Sequence, residues 1–142
     1  FDGSAGANAA VEAVARRNWR ASSEVRLVTA MDSIVPSSIG RFVPPVAGWV
    51  EQELRTERRW IEKLAESALL KLKNAGLAAE LCVRDGNPKQ ILVEEAAKWS
   101  ADCVFVGANS FQNKLERFLI GSTSAAIAER AGCSVEIVRL NE

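Results

Sequence analysis

The 142-residue sequence contains no histidine, no tyrosine and a single methionine. Without histidine, the chain cannot build a histidine metal site, a Ser-His or Cys-His catalytic pair, or a histidine proton shuttle. It also lacks the G-x-x-x-x-G-K-[ST] pattern of P-loops and the G-x-G-x-x-G dinucleotide fingerprint. Any nucleotide site in this chain is therefore of another kind.

Net charge and long apolar runs are also missing. The 18 Lys and Arg residues balance the 18 Asp and Glu residues, so we expect neither nucleic acid nor an anionic membrane as a partner. No apolar run approaches the roughly 20 residues that cross a bilayer, and we expect no signal peptide. The length and the 48% hydrophobic content predict one ordinary globular domain over residues 1–142.

The three cysteines, Cys82, Cys103 and Cys133, are odd in number and far apart. Each lies in or beside a short apolar run that is typical of a strand. This placement favours buried, reduced thiols over a redox or metal role. Reduced thiols in turn predict a cytoplasmic location.

The spacing of apolar residues predicts helices that alternate with strands. The predicted helices cover 5–18, 49–75, a segment beginning at Pro88, and 122–131, and the predicted strands cover 24–31, 77–86, 102–108 and 133–140. This alternation is typical of an α/β fold with a doubly wound parallel sheet and helices on both faces. The segment 33–48 holds three of the four prolines, which predicts an irregular loop, either a lid or the wall of a site.

The third helix carries a clear start signal. Asn87 is a good N-cap, and Pro88 suits the first helical position. Three residues recur on one face of this helix and are predicted to be buried, namely Leu92, Ala96 and Trp99.

The chain opens on Phe1, an Asp-Gly-Ser turn and a helix. In an α/β domain, such a turn at a helix entry normally follows a strand. Four strands also make a thin sheet for this many helices. We therefore expect a further strand, the first of the sheet, upstream of residue 1.

Five short motifs occur along the chain in an order that resembles the universal stress protein family. They are FDGS before the first helix, VRDGNP before the third, VGA at the end of a strand, GSTS at the start of the last helix, and CSVEIVR as the final strand. The resemblance covers essentially the whole chain. It implies a five-stranded parallel sheet of order 3-2-1-4-5, in which the strand expected upstream of residue 1 is central.

Nucleotide-binding members of that family carry G-x-x-G, nine residues and then G-[ST]. Four residues match this pattern: Gly107, Gly121, Ser122 and Thr123. Ser110 stands where the second glycine belongs, and the spacer that follows has ten residues; a different alignment puts Phe111 at that position. The resemblance implies that this loop binds the phosphates of ATP, with Mg²⁺ or Mn²⁺ held through them.

The physical case for a phosphate site rests on the start of the last helix. Its first N–H groups and the positive end of its dipole converge there, and glycine allows close approach. A serine at position 110 could donate a backbone N–H, although a positive φ would be strained there. On these residues alone, Ser122 as an ordinary N-cap and Gly121 as a turn residue form the better interpretation. With the resemblance, phosphate binding is favoured.

The resemblance also assigns roles to Asp2 and Ala30. Asp2 matches the acid at the end of the first strand, which is expected near the ribose and adenine. Ala30 matches the position whose backbone contacts the adenine edge.

The final strand, 133–140, is expected at an edge of the sheet. An edge with Val135, Ile137 and Val138 is poorly protected against pairing. A two-fold homodimer in which this strand meets its own copy closes the edge, and the resemblance implies the same contact. Glu136 of one protomer is then expected near Arg139 of the other.

These observations predict an adenine-nucleotide-binding regulatory protein of the stress response that acts as a dimer. The alternative is a family member that dimerises as a scaffold without binding nucleotide. An ATP-hydrolysing enzyme is disfavoured, because no evident general base lies near the loop and Asp2 is committed to the sugar.

Overall fold

The computed structural model describes residues 1–31, 44–108 and 120–140. In chain order, the elements are α1 (Ala5–Ala15), β1 (Glu24–Met31), α2 (Pro44–Asn74), β2 (Ala78–Asp85), α3 (Pro88–Lys98), β3 (Cys103–Gly107), α4 (Ser122–Arg130) and β4 (Ser134–Val138). Strands alternate with helices as the apolar spacing predicts. The α/β class is confirmed.

The start of α2 differs from the prediction. The helix begins at Pro44, whereas the sequence pattern places its start at residue 49. The first N–H groups of a helix have no intrahelical acceptor, so prolines are tolerated in the first turn. Residues 44–48 are therefore helical, and the loop prediction is wrong for them; the rest of that loop, up to residue 43, lies outside the described residues.

The strands form two parallel pairs. β1 runs beside β2, from Glu24 opposite Ala78 to Met31 opposite Asp85. β3 runs beside β4 with Gly107 opposite Val138 at its end. Within the described residues, these pairs are two separate two-stranded sheets. They are the pairs that the order 3-2-1-4-5 places on either side of its central strand, and that order stays a prediction.

The main core lies between α1, α2 and the face of β1 that carries Leu27. Val11 and Val14 of α1 pack there against Ala68 and Leu72 of α2. Leu72 is almost completely buried, and burying a leucine side chain contributes about 1.5–3 kcal/mol. This core holds α1 and α2 on one face of β1.

Helix α3 lies on the opposite face of β1 and begins as predicted. The Asn87 side chain accepts the N–H of Lys89 at 3.0 Å, and proline occupies the first turn. The prediction of a buried apolar stripe is wrong: Leu92, Ala96 and Trp99 are only half-buried. They line a cavity between β1 and β3.

Candidate functional site

The carboxyl ends of β1 and β3 meet at the first residues of the chain. The backbone nitrogen of Phe1 donates to the carbonyl of Val28, and the Thr29 hydroxyl donates to the Phe1 carbonyl at 2.7 Å. A few residues later, Gly6 packs against Gly107 at the end of β3. The start of the chain therefore holds both strand ends at one place.

A cavity of about 750 Å³ opens between β1 and β3. Four of the predicted site residues line it: Asp2, Ala30, Gly107 and Thr123. Gly121 and Ser122 directly precede Thr123 at the start of α4 but are not part of the cavity wall. Ser110 lies outside the described residues. The structure thus places four of the predicted site residues on the wall of one cavity and the other two that it describes next to Thr123 in sequence.

Helix α4 presents its N-terminus to this cavity. Gly121 is the N-cap, with φ −57° and ψ 148°, and no side chain in the described part of the chain caps the helix. The first helical bond runs from the N–H of Ala125 to the Gly121 carbonyl at 2.9 Å. Ser122 is thus the first helical residue, and its interpretation as the N-cap is wrong. The leading N–H groups, without a capping side chain, favour an anionic ligand.

Ser124 is a site residue that the sequence analysis missed. It is buried, and its hydroxyl donates to the Gly107 carbonyl at 2.8 Å. This bond ties the first turn of α4 to the end of β3 and so sets where the helix N-terminus lies. A serine among the alanines of the last helix is the only signal for it in the sequence.

Gly107 has a packing reason for being glycine. A Cβ atom at Gly107 would lie 2.6 Å from the Cα of Gly6, and one at Gly6 would lie 2.6 Å from the carbonyl oxygen of Ala108. Carbon atoms in contact are normally about 3.5–4.0 Å apart. The two glycines therefore let α1 touch the end of β3. This packing is enough to explain why residue 107 is a glycine, so the glycine alone is not evidence of a phosphate site.

Asp2 belongs to the turn that starts α1. Its carboxylate accepts the N–H of Ser4 at 2.9 Å, and the Ser4 hydroxyl accepts the N–H of Ala7 at 3.1 Å. Burial raises the pKa of Asp2, but the hydrogen bonds from Ser4 outweigh it and hold that pKa below its ordinary value. The cavity therefore has an ionised carboxylate at one side of its mouth and the α4 N-terminus at another.

The sequence model of the Universal stress protein family matches residues 1–139 of the chain. The chain belongs to this family. A putative universal stress protein of Staphylococcus aureus is 31% identical over 131 residues, which span 91% of this chain and 72% of the relative.

Solved structures of universal stress proteins share the fold. The universal stress protein UspA from Lactobacillus plantarum superposes with a TM-score of 0.72 at 18% identity, over 98% of this chain and 93% of that one. A universal stress protein in complex with cAMP has a TM-score of 0.62 and 25% identity, over 98% of this chain and 91% of that one.

A second polar cluster of this universal stress protein lies under α3. Its centre is Glu95, whose side chain is only 4% exposed. The carboxylate lies 2.7 Å from Arg84 and 3.7 Å from Arg26 and accepts a bond from the Cys82 thiol at 3.5 Å. The Arg26 guanidinium also lies 4.8 Å from the centre of the Trp99 ring.

Burial raises the pKa of Glu95, but the hydrogen bond from Arg84, together with Cys82 and Lys98, outweighs it and holds that pKa below the ordinary value. The sequence analysis missed Glu95 because it scored only apolar residues as buried. The sequence does contain a signal for this cluster. Side chains alternate between the two faces of a strand, so Glu80, Cys82 and Arg84 lie on the same face of β2.

The cysteines of this universal stress protein are half-buried free thiols at Cys82, Cys103 and Cys133. Burial raises the pKa of Cys103 and keeps that thiol protonated at neutral pH. No cluster of Cys, Asp and Glu suited to a metal ion occurs in the part of the chain that the structure describes. In that same part, every helix is too short or too polar to cross a bilayer.

Proposed function

We propose that this universal stress protein binds an adenine nucleotide, ATP, where β1 and β3 end, and that it acts as a regulatory module of the stress response. The observation that carries this proposal is the cavity that Asp2, Ala30 and Thr123 line together at the start of α4. A 25% identical universal stress protein has been solved in complex with cAMP, which is an adenine nucleotide.

The groups at the mouth fit the parts of such a ligand. Phosphates belong at the start of α4, where the N–H groups and hydroxyls of Ser122 and Thr123 favour negative charge. The Asp2 carboxylate repels phosphates and accepts hydrogen bonds, which suits the hydroxyls of a ribose. Ala30, at the end of β1, offers a small side chain beside which an adenine edge reaches the backbone. Mg²⁺ or Mn²⁺ would be held through the phosphates.

Replacing Thr123 with valine tests this assignment. The exchange keeps the shape of the side chain and removes the hydroxyl of a residue that lines the cavity. Hydrogen bonds to charged groups contribute about 1.5–3 kcal/mol, so we expect ATP to bind about tenfold to a hundredfold more weakly. Titration calorimetry with ATP, AMP, cAMP and GTP measures this. Thr56→Val is the matched control, because Thr56 lies exposed on α2.

Unchanged ATP affinity in Thr123→Val would place the nucleotide elsewhere. If the unmodified protein binds none of the four nucleotides, the scaffold alternative holds. One observation favours that alternative: the close packing against Gly6 explains why residue 107 is a glycine, even if the protein binds no phosphate.

We propose further that the protein dimerises through β4. Within the described residues, β4 pairs with a strand on one side only, and Val135, Ile137 and Val138 are half-buried. The two oxygens of the Glu136 carboxylate accept bonds from one nitrogen of Arg17, Nη2, at 2.5 and 2.6 Å. The expected contact between Glu136 and Arg139 of the partner subunit therefore competes with a bond inside the chain.

Substitution of two exposed leucines can distinguish a dimer interface on β4 from one on α2. Leu140 follows β4 and is 43% exposed, whereas Leu70 on α2 is 59% exposed. We expect Leu140→Lys to weaken dimerisation at least tenfold in sedimentation experiments, because it brings two like charges close to the two-fold axis. Leu70→Lys should leave the dimer intact. The opposite pattern would move the interface to α2.

A further inference from the structure

Two buried side chains, one polar and one apolar, hold α4 against the rest of the protein. Ser124 and Ile127 are three residues apart and therefore lie on the same side of the helix. Ile127 is completely buried, whereas Ser124 is 4% exposed and donates its hydroxyl to the Gly107 carbonyl at 2.8 Å. Apolar contacts are non-directional, but a hydrogen bond fixes both distance and angle. Ser124 is therefore the side chain that fixes the helix along its own axis.

The backbone to which Ser124 bonds is itself held from two sides. The N–H of Ala108 donates to the Val138 carbonyl of β4 at 2.7 Å. On the other side, a Cβ atom at Gly6 of α1 would lie 2.6 Å from the carbonyl oxygen of Ala108. Because β4 and α1 both contact this backbone, the bond from Ser124 gives the start of α4 a defined place beside the cavity that Gly107 lines.

Ser124 acts on a ligand only through the helix. Its neighbour Thr123 belongs to the cavity wall, whereas Ser124 does not. The first helical hydrogen bond is made by the N–H of Ala125, so the N–H groups of residues 122–124 have no acceptor inside the helix. These leading N–H groups are the donors that a phosphate would meet.

We propose that Ser124 is a positioning residue for phosphate binding, because its bond to Gly107 holds the leading N–H groups of α4 where the phosphates arrive. This inference rests on the function proposed above. Binding groups have to be held within about 0.5 Å of their productive geometry. The bond also occupies the carbonyl oxygen of a residue that lines the cavity, and an unoccupied carbonyl oxygen would repel a phosphate by its partial negative charge.

Ser124→Ala tests the inference, with adenosine as the reference ligand because it lacks phosphates. Alanine is a good helix former, so α4 should still form. We expect calorimetry to show that ATP binds at least tenfold more weakly to Ser124→Ala, while adenosine binds within twofold of the unmodified protein. Ser124→Thr keeps the hydroxyl and should bind ATP more tightly than Ser124→Ala. A threonine variant that is no better than alanine would contradict a role for the hydroxyl.

Ile127→Val is the matched control for loosened packing of α4. It shortens a buried side chain on the same side of the helix and leaves the bond between Ser124 and Gly107 in place. Looser packing alone should change the affinities for ATP and adenosine by the same factor, so their ratio should stay that of the unmodified protein. If Ile127→Val lowers this ratio as much as Ser124→Ala, the hydrogen bond has no specific effect and the inference is wrong.

Tripolyphosphate separates this inference from the proposed function, because it carries the phosphates without the adenosine. Its binding is followed by the NMR shifts of the Ser122 and Thr123 amides. If tripolyphosphate binds and Ser124→Ala weakens it, but ATP does not bind, the inference holds and nucleotide binding fails. Equal ATP affinity in Ser124→Ala and the unmodified protein overturns the inference and leaves nucleotide binding intact. If the unmodified protein binds neither compound, both proposals fail.

Discussion

Gly107→Ala is expected to lower the free energy of unfolding by about 3 kcal/mol or more, measured by urea denaturation. The added Cβ would lie 2.6 Å from the Cα of Gly6, and the obstacle is backbone that cannot change rotamer. Overpacking in cores typically costs about 1–3 kcal/mol. The added Cβ atom would also push α1 away from β3, which adds to this cost. The change therefore acts on the fold before it acts on any ligand.

Gly132→Ala is the matched control for Gly107→Ala. Gly132 follows α4, and a Cβ there meets no atom within 4 Å. We expect its stability to stay within about 0.5 kcal/mol of the unmodified protein. If both glycine variants are equally stable, the packing of α1 does not depend on the contact between Gly6 and Gly107. Contact with a phosphate would then be the better explanation for the glycine at position 107.

Glu95→Gln is expected to lower the free energy of unfolding by about 1–3 kcal/mol at neutral pH. Glutamine keeps the size of the side chain but removes the charge that Arg84 and Arg26 share. Removing one partner of a buried ion pair is strongly destabilising, because the charge of the other partner is then left uncompensated. Glu94→Gln is the matched control, since the side chain of its neighbour Glu94 is 42% exposed and pairs with Lys98 at 3.7 Å.

The effect of Glu95→Gln should also depend on pH. The pKa of Glu95 in the folded protein lies below its ordinary value of 4.5. The carboxylate therefore stabilises the fold above that ordinary value, and its contribution is lost as the pH falls through the folded pKa. The stability difference between the unmodified protein and Glu95→Gln should be constant near neutral pH and shrink in acid. A difference that grows in acid would contradict the assignment.

The order and type of the elements could be predicted from the sequence because apolar spacing differs between helices and strands. Strand β1 was predicted with its observed bounds, and the helix start was predicted from Asn87 and Pro88. The start of α2 was missed because prolines were taken as loop residues, whereas the first turn of a helix accepts them.

The candidate site could be predicted in part. Asp2, Ala30 and Thr123 line the same cavity, as expected because a parallel sheet brings its strand ends to one edge, which a sequence pattern does capture. Glu95 and Ser124 could not be found in the same way, because each is a polar residue whose burial depends on partners distant in sequence. Gly107 shows a further limit: close packing and ligand contact both require glycine.

The division of the strands into two parallel pairs has a consequence for how the chain folds. Arg26 of β1 and Glu80 of β2 are 54 residues apart, and Cys103 of β3 lies opposite Ser134 of β4, 31 positions later. Loop-closure entropy makes the longer closure only about 0.5 kcal/mol more costly. None of the described strand pairs is a hairpin, so no local turn nucleates the sheet. Each pair has to wait for the helix of its crossover, and parallel pairing between strands so far apart in sequence is slow.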